Sequence, residues 1–274
     1  MNPMRNLPLR LVLALLLGLT SLTATAADCP RIVSQSPYIT RTLQWLGLED
    51  CIVGVSRYDS LDRPHTGGVL DPDADAIATL APDLLFTSEW TTAERLAAAT
   101  PPGTRGFRLD GFQSMTQIED NLRLIGHATG INDIEPRVSA FHRTWQEQAA
   151  AINGHGKKVL LLSACSGTPY SFGRKRWLSE LFRHAGFVNV ETAATIRHLK
   201  SGEEIATLNE LINTLQPELL FVFERTQSKQ CALIMPQTPL QIVHLDGEKF
   251  LHPAPVLLEG LAELQQQQQL WSRP

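Results

Sequence analysis

An α/β fold of two lobes, each with a mainly parallel sheet flanked by helices and joined by one long helix, is predicted by three features of the 274-residue sequence. In the first half, short β-branched runs alternate with helical patterns, as strands paired in parallel require. A single amphipathic stretch over residues 133–153 interrupts the alternation, which then begins again. The halves also share a local motif: Asp75-Ala-Ile-Ala-Thr-Leu-Ala-Pro82-Asp-Leu-Leu-Phe is echoed by Glu210-Leu-Ile-Asn-Thr-Leu-Gln-Pro217-Glu-Leu-Leu-Phe, with an acid seven residues before proline in both.

At the amino terminus, Arg5 and Arg10 precede an uncharged apolar run, Leu11 to Leu22, followed by the small residues Ala24-Thr25-Ala26-Ala27. This is the pattern of a cleaved secretory signal peptide over residues 1–26. The run is well short of the roughly 20 residues that a membrane-spanning helix needs. Asp28 before Cys29 is the wrong residue for a lipid-modified cysteine, so no membrane anchor is expected and the destination is the periplasm.

The next region, residues 28–131, reads as the first lobe. Its strands are expected at Arg31-Ile-Val-Ser, Ile52-Val-Gly-Val-Ser, Asp83-Leu-Leu-Phe-Thr and Gly106-Phe-Arg-Leu, with helices at 37–47 and 73–81 among those between them. The linking helix falls in residues 132–155. Asp133 stands at its start, Pro136 lies in its first turn, and Val138, Phe141, Trp145 and Ala149 recur at three-to-four spacing until Gly154 and Gly156 end it. Residues 156–274 read as the second lobe. Strands are expected at 158–162, 218–223, 231–235 and 242–245, with helices at 177–185, 208–215 and after Pro255. The glutamine run Gln265 to Gln269 reads as a solvated helix end.

Composition removes several classes of function. Without residues 1–26 the chain carries 22 basic against 28 acidic side chains, too acidic for a nucleic-acid partner. The four cysteines contain no C-x-x-C pair, and in an oxidising compartment they point to disulfides rather than zinc. Cys29 and Cys51 each precede a predicted strand, so parallel neighbours would bring them together; Cys165 and Cys231 are left by elimination. The eight histidines form no close metal-spaced pair, and no resident cofactor is implied. G-x-S-x-G, H-E-x-x-H and S-x-x-K are all absent, which argues for a binding protein and against an enzyme.

Five blocks then occur in order: Arg31-Ile-Val-Ser-x-x-Pro-x-Ile-Thr, Val53-Gly-Val-Ser-Arg-Tyr, Gly67-Gly-Val-Leu-Asp-Pro, Leu80-Ala-Pro-Asp-Leu and Tyr170-Ser-Phe-Gly. In these the chain resembles the ferric-siderophore and cobalamin periplasmic binding proteins, across nearly all of residues 30–265. The resemblance implies two lobes joined by a rigid long helix, a chelated metal clamped between them, and delivery by a monomer to the membrane permease of an ABC importer. It also implies that Asp75 and Glu210 dock on permease arginines. The alternative for both is a solvated acid in the first turn of a helix.

The ligand is expected at the strand-end loops, which carry Ser36, Pro37, Arg57, Tyr58, Gly68, Val69, Trp90, Tyr170, Arg174, Arg197 and His252. Aromatic rings there would stack on a large ligand and arginines would pair with its oxygens. Val69 and Glu204 stand six residues before the docking acids, where cobalamin binders present tryptophans. Val69 also occupies the place in Gly67-Gly68-Val69 where haem-binding relatives put a tyrosine. A ferric siderophore is therefore the expected cargo, with cobalamin the alternative.

Overall fold

The computed structural model describes residues 29–165, 168–225, 233 and 238–272. The signal-peptide reading and Cys231 lie outside the described residues, as does all of the expected 231–235 strand except Leu233, which is in no regular element.

The first sheet contains β1 (Ile32–Ser34), β2 (Ile52–Val55), β3 (Leu84–Ser88) and β4 (Arg105–Leu109) in the order β2-β1-β3-β4, all parallel. β3 is buried at every position, which is why Leu84-Leu-Phe-Thr-Ser reads as an unbroken apolar run rather than an alternating one. Around the sheet lie α1 (Pro37–Trp45), α2 (Ala74–Thr79), α3 (Ala93–Ala99) and α4 (Met115–Thr129). Three of these begin on the side chain of a capping residue: Asp73, Thr92 and Ser114 accept from the N–H three residues on.

α5 (Ile134–Ala150) is the expected linking helix, about 25 Å long over its 17 residues. Its buried stripe is Ile134, Val138, Phe141, Trp145 and Ala149. It packs against α4 on one side and on α6 (Trp177–His184) and α9 (Leu257–Gln266) on the other, so it is gripped by elements from both halves of the chain. One apolar core accordingly runs from the first sheet through α4, α5 and α6 into the second.

The second sheet is built from β5 (Lys158–Ser163), β6 (Tyr170–Ser171), β7 (Val188–Asn189), β8 (Arg197–His198), β9 (Leu219–Glu224) and β10 (Gln241–Asp246). Its order is β10-β9-β5-β6-β8, with β7 also on β5. The pairs of β5 with β7 and β9, and of β9 with β10, are parallel; β6 pairs antiparallel with both β5 and β8. The remaining helices are α7 (Leu208–Leu215) and the short α8 (Gly247–Phe250). The glutamine run is the end of α9 and the turn after it, mostly outside the core, and Trp271 just beyond is buried and donates to Asn153 O.

The sequence echo is a structural repeat. The parallel order β7-β5-β9-β10 repeats β2-β1-β3-β4. At the matching points the Arg31 N–H donates to the Asp83 carboxylate at 2.7 Å and the Lys158 N–H to the Glu218 carboxylate at 2.8 Å. The residue before each proline, Ala81 and Gln216, takes the same left-handed turn, with φ of +41° and +47°. That step costs a side-chain-bearing residue on the order of 1 kcal/mol. In the first half, Arg31 offsets it by donating to the Leu80 and Ala81 carbonyls.

Cys29 and Cys51 form the expected disulfide, joining the starts of β1 and β2. Cys165 is also disulfide-bonded.

Candidate functional site

In both sheets the carboxyl ends of the parallel strands open into loops that meet between the lobes, the usual location of ligands on open α/β sheets. Three features occupy this place. A cavity of about 140 Å³ is lined by Pro37, Arg41, Tyr58 and Asp59 from the first half and by Arg225, Glu248 and His252 from the second. Beside the strand ends of β3 and β4, the half-exposed Trp90 ring lies nearly parallel to Phe112, centroids 4.8 Å apart. Across from these, Trp177 meets Phe112 edge-on at 5.5 Å, and the Arg176 guanidinium sits 5.9 Å from the centre of Phe112 and 6.0 Å from that of Trp177.

Local sequence explains each placement. Pro37 starts α1 at the first-turn position where its missing N–H is harmless, with Ser36 buried just before it. Tyr58 follows β2 directly and is 58% exposed, its ring under the Arg57 guanidinium at 6.0 Å. Trp90 and Phe112 stand in the loops after β3 and β4, and Arg225 follows β9.

The cavity wall is a charged network across the lobes. Arg225 Nε lies 2.8 Å from Glu248 Oε1, and Arg41 Nη2 reaches Glu248 Oε2 from the other lobe at 3.8 Å. Arg225 Nη2 is 2.9 Å from His252 Nε2. The same Nε2 is 3.2 Å from Glu248 Oε2, so its part as donor or acceptor follows the tautomer. Burial pushes the His252 pKa down, with Glu248 opposing and Arg225 assisting. Hydrogen bonding from His252, then burial in opposition, then Arg225, leave the Glu248 carboxyl below its ordinary value. Burial raises that of Asp59 despite hydrogen bonds from Ser56 and Thr40.

A pH dependence follows. With a folded-state pKa below the unfolded value near 6.5, the unfolded chain binds the extra proton, so stability is present above about pH 6.5 and is lost as pH falls below it. One proton gives a slope of at most about 1.4 kcal/mol per pH unit. Urea midpoints at pH 7 and pH 5.5 are expected to differ more for the wild-type chain than for His252→Gln; equal differences would place the pH sensitivity elsewhere.

The other expected contact residues are held away from the cavity. Arg57 pairs with Asp71 at 2.6 Å on the surface. Val69 is buried and its carbonyl accepts from Thr91 Oγ1 at 2.7 Å, while Gly68 O accepts from Gln35 Nε2, so the Gly-Gly loop is fastened from behind. Tyr170 is buried in β6; burial pushes its phenol up, against a hydrogen bond with Ser163 and the charge of Arg225. Arg174 and Arg197 both brace the loop at 191–195: Arg174 donates to Thr192 O at 2.9 Å, and Arg197 donates to Glu191 and Thr192. Gly173 lies so close under this loop that a Cβ would stand 1.9 Å from Thr195 O.

Of the basic run at 174–176, Arg176 is the buried member, while Arg174 and Lys175 face water. Sequence reasoning also passed over Phe112, Trp177, Arg225, Asp59 and Glu248. The rule that residues just past β-strands line such sites would have found Phe112 and Arg225. The exposed Asp75 lies in the first turn of α2. Glu210 completes a capping box at the start of α7, accepting from the N–H groups of Thr207 and Ala206.

Residues 32–236 match the model of the family described as periplasmic binding protein. The chain belongs to that family. This periplasmic binding protein is a substrate-binding protein of the ABC-importer type, and its family is one of solute binders. It is 22% identical over 227 residues to a vitamin B12-binding protein of Vibrio cholerae serotype O1, covering 80% of this chain and 79% of that one. Among solved structures it is similar to the periplasmic haem-binding protein RhuT of Roseiflexus sp. RS-1, with a TM-score of 0.70 at 20% identity, over 88% of this chain and 98% of that one. It is also similar to the siderophore-binding protein BauB, solved with ferric iron and two molecules of acinetobactin, with a TM-score of 0.67 at 16% identity, over 88% and 93%. These likenesses agree with the two-lobed fold.

Proposed function

We propose that this protein captures a ferric siderophore between its lobes, after export by a cleaved signal peptide, and hands it to the permease of an ABC importer. The observation that carries the reading is the half-exposed Trp90 stacked on Phe112 at the strand ends, with Tyr58 exposed past the carboxyl end of β2 in the same sheet. An open aromatic face of this kind suits a flat, conjugated chelate, and the chelate's own oxygens would hold the iron. Pro37, Tyr58, Trp90 and His252 are the expected contacts. Cobalamin is the second reading, favoured by the curated relatives at 22–25% identity, which are vitamin B12-binding proteins.

Tryptophan fluorescence separates the two. Trp145, Trp177 and Trp271 are buried and Trp45 packs on Phe141 of the linking helix, away from the strand ends, so quenching by a bound cargo should fall mainly on the half-exposed Trp90. Titration with a panel of ferric siderophores, cobalamin and haem is expected to show saturable quenching by a siderophore, reduced in Trp90→Leu. Quenching by cobalamin alone would replace the first reading with the second.

Asp75 and Glu210 are proposed as the docking acids, one on each copy of the repeat. Because the Glu210 carboxylate also caps α7, alanine would confound docking with helix loss worth about 1 kcal/mol. The charge-removing pair Asp75→Asn and Glu210→Gln avoids this. It should leave cargo affinity unchanged and lower uptake by about tenfold, since such charges govern encounter and orientation. Unchanged uptake would return both residues to the role of solvated first-turn acids.

A further inference from the structure

Arg176 is nine-tenths buried, yet among the described residues its side chain has no hydrogen bond and no ion pair. Its Nε is buried without a partner, and so is the indole Nε1–H of Trp177 beside it. Taking part of an unpaired guanidinium out of water is unfavourable, and the two rings that flank it recover only part of this cost. Glu89, in the loop after β3, is an acid whose charge favours the guanidinium; its carboxylate accepts from Gly111 N at 3.3 Å, and among the described residues it makes no ion pair with Arg176. Burial draws the guanidinium pKa down from its usual value, against the pull of Glu89. Among the described residues this side chain contacts only the Phe112 and Trp177 rings: α6 starts at Trp177 without a side-chain cap, and the one hydrogen bond of Arg176 is accepted by its backbone carbonyl from Glu180 N.

We infer that Arg176 and the Trp177 indole N–H form a receiving site for a carboxylate of the cargo, so that the chelate carried is a carboxylate-bearing, anionic one. The inference rests on the reading that the cargo lies against Trp90 and Phe112. A carboxylate there would accept from two buried donors at once. It would also sit at the amino-terminal end of α6, where the helix dipole favours negative charge.

The test uses the full chain and two iron complexes, ferric citrate with free carboxylates and ferrioxamine B with an uncharged trihydroxamate shell. Arg176→Gln is expected to weaken ferric citrate by about 10- to 100-fold, the value of a charge-assisted hydrogen bond, and ferrioxamine B by less than about twofold. Equal weakening of both would overturn the inference. Free citrate titrated against the ¹⁵N-labelled chain should move the Trp177 indole cross-peak in the wild type and not in Arg176→Gln; a wild-type peak that stays fixed at saturating citrate would also overturn it.

Arg176→Met should hold or raise Tm, by about 2–4 °C for each kcal/mol of removed desolvation, whereas a structural arginine would lower it. If no ferric complex binds while the citrate response persists and depends on Arg176, the siderophore reading fails and the carboxylate site stands. If ferric complexes bind with no dependence on Arg176, the siderophore reading stands and the carboxylate site fails.

Discussion

Arg197→Met is expected to lower the unfolding free energy by about 3 kcal/mol at pH 7, because it strands a buried charge. Glu191 has no exposed surface, and Arg197 is its ion-pair partner at 3.0 Å. The carboxylate also accepts from Ser171 Oγ and, at 2.8 Å, from the Ala193 N–H. These two remaining donors keep the expected loss at the low end of the range for broken buried pairs. Burial alone would push the Glu191 carboxyl up, yet the donors from Arg197, Ala193 and Ser171 outweigh it and hold the pKa below its ordinary value.

The sign is that of a depressed acid: stability is present above the unfolded pKa of about 4.5 and is lost as pH falls through the folded value. In Arg197→Met the carboxyl rises, and the loss moves to higher pH. Urea unfolding of the variant between pH 4 and pH 8 measures both effects. A variant of wild-type stability that has lost cargo affinity would instead place Arg197 among the ligand contacts, as its sequence position suggested.

Phe182→Ala should cost about 4 kcal/mol, at the upper end of core truncations, since it opens a cavity at the centre of a ring cluster. The Phe182 ring contacts those of Phe221 at 4.9 Å, Phe187 at 5.7 Å, Phe223 at 5.9 Å and Phe250 at 6.1 Å. These belong to β9, α8 and the turn before β7, so one side chain fastens α6 to the second sheet. Arg176 and Trp177 stand at the start of the same helix, and a loosened α6 should weaken cargo binding as well as stability. Denaturant unfolding decides: a loss below about 1.5 kcal/mol would mean that neighbours refill the space, and the cluster is not close-packed.

Much of the fold was legible along the chain. The runs Ile32-Val-Ser, Leu84-Leu-Phe and Leu219-Leu-Phe are apolar on both faces, as buried parallel strands must be, and each proved a strand. The spacing of Val138, Phe141, Trp145 and Ala149 marked the buried stripe of α5, and the acid-to-proline echo marked a repeat that the backbone carries down to its hydrogen bonds. The Cys29–Cys51 bond followed from the parallel pairing of the strands beside it. Helix α4 was given no bounds, although its Ser114 cap and apolar spacing were there to be found. The two-residue strands β6, β7 and β8 left no period to detect.

The site was less legible, and its basic residues show why. Arg174, Arg176 and Arg197 are alike in sequence, each an arginine near a strand end. Arg174 and Arg197 are taken up by the loop at 191–195, which folds across them and offers the Thr192 carbonyl and the Glu191 carboxylate. Arg176, one turn of chain away, is turned between Phe112 and Trp177 and has no such acceptor. Periodicity, capping and turn chemistry act over a few residues, so the sequence by itself determined the longer strands and helices, the mainly parallel pairing and the repeated half. Which charge is neutralised and which is left unpaired depends on loops distant in sequence meeting in space, and that only the tertiary structure decided.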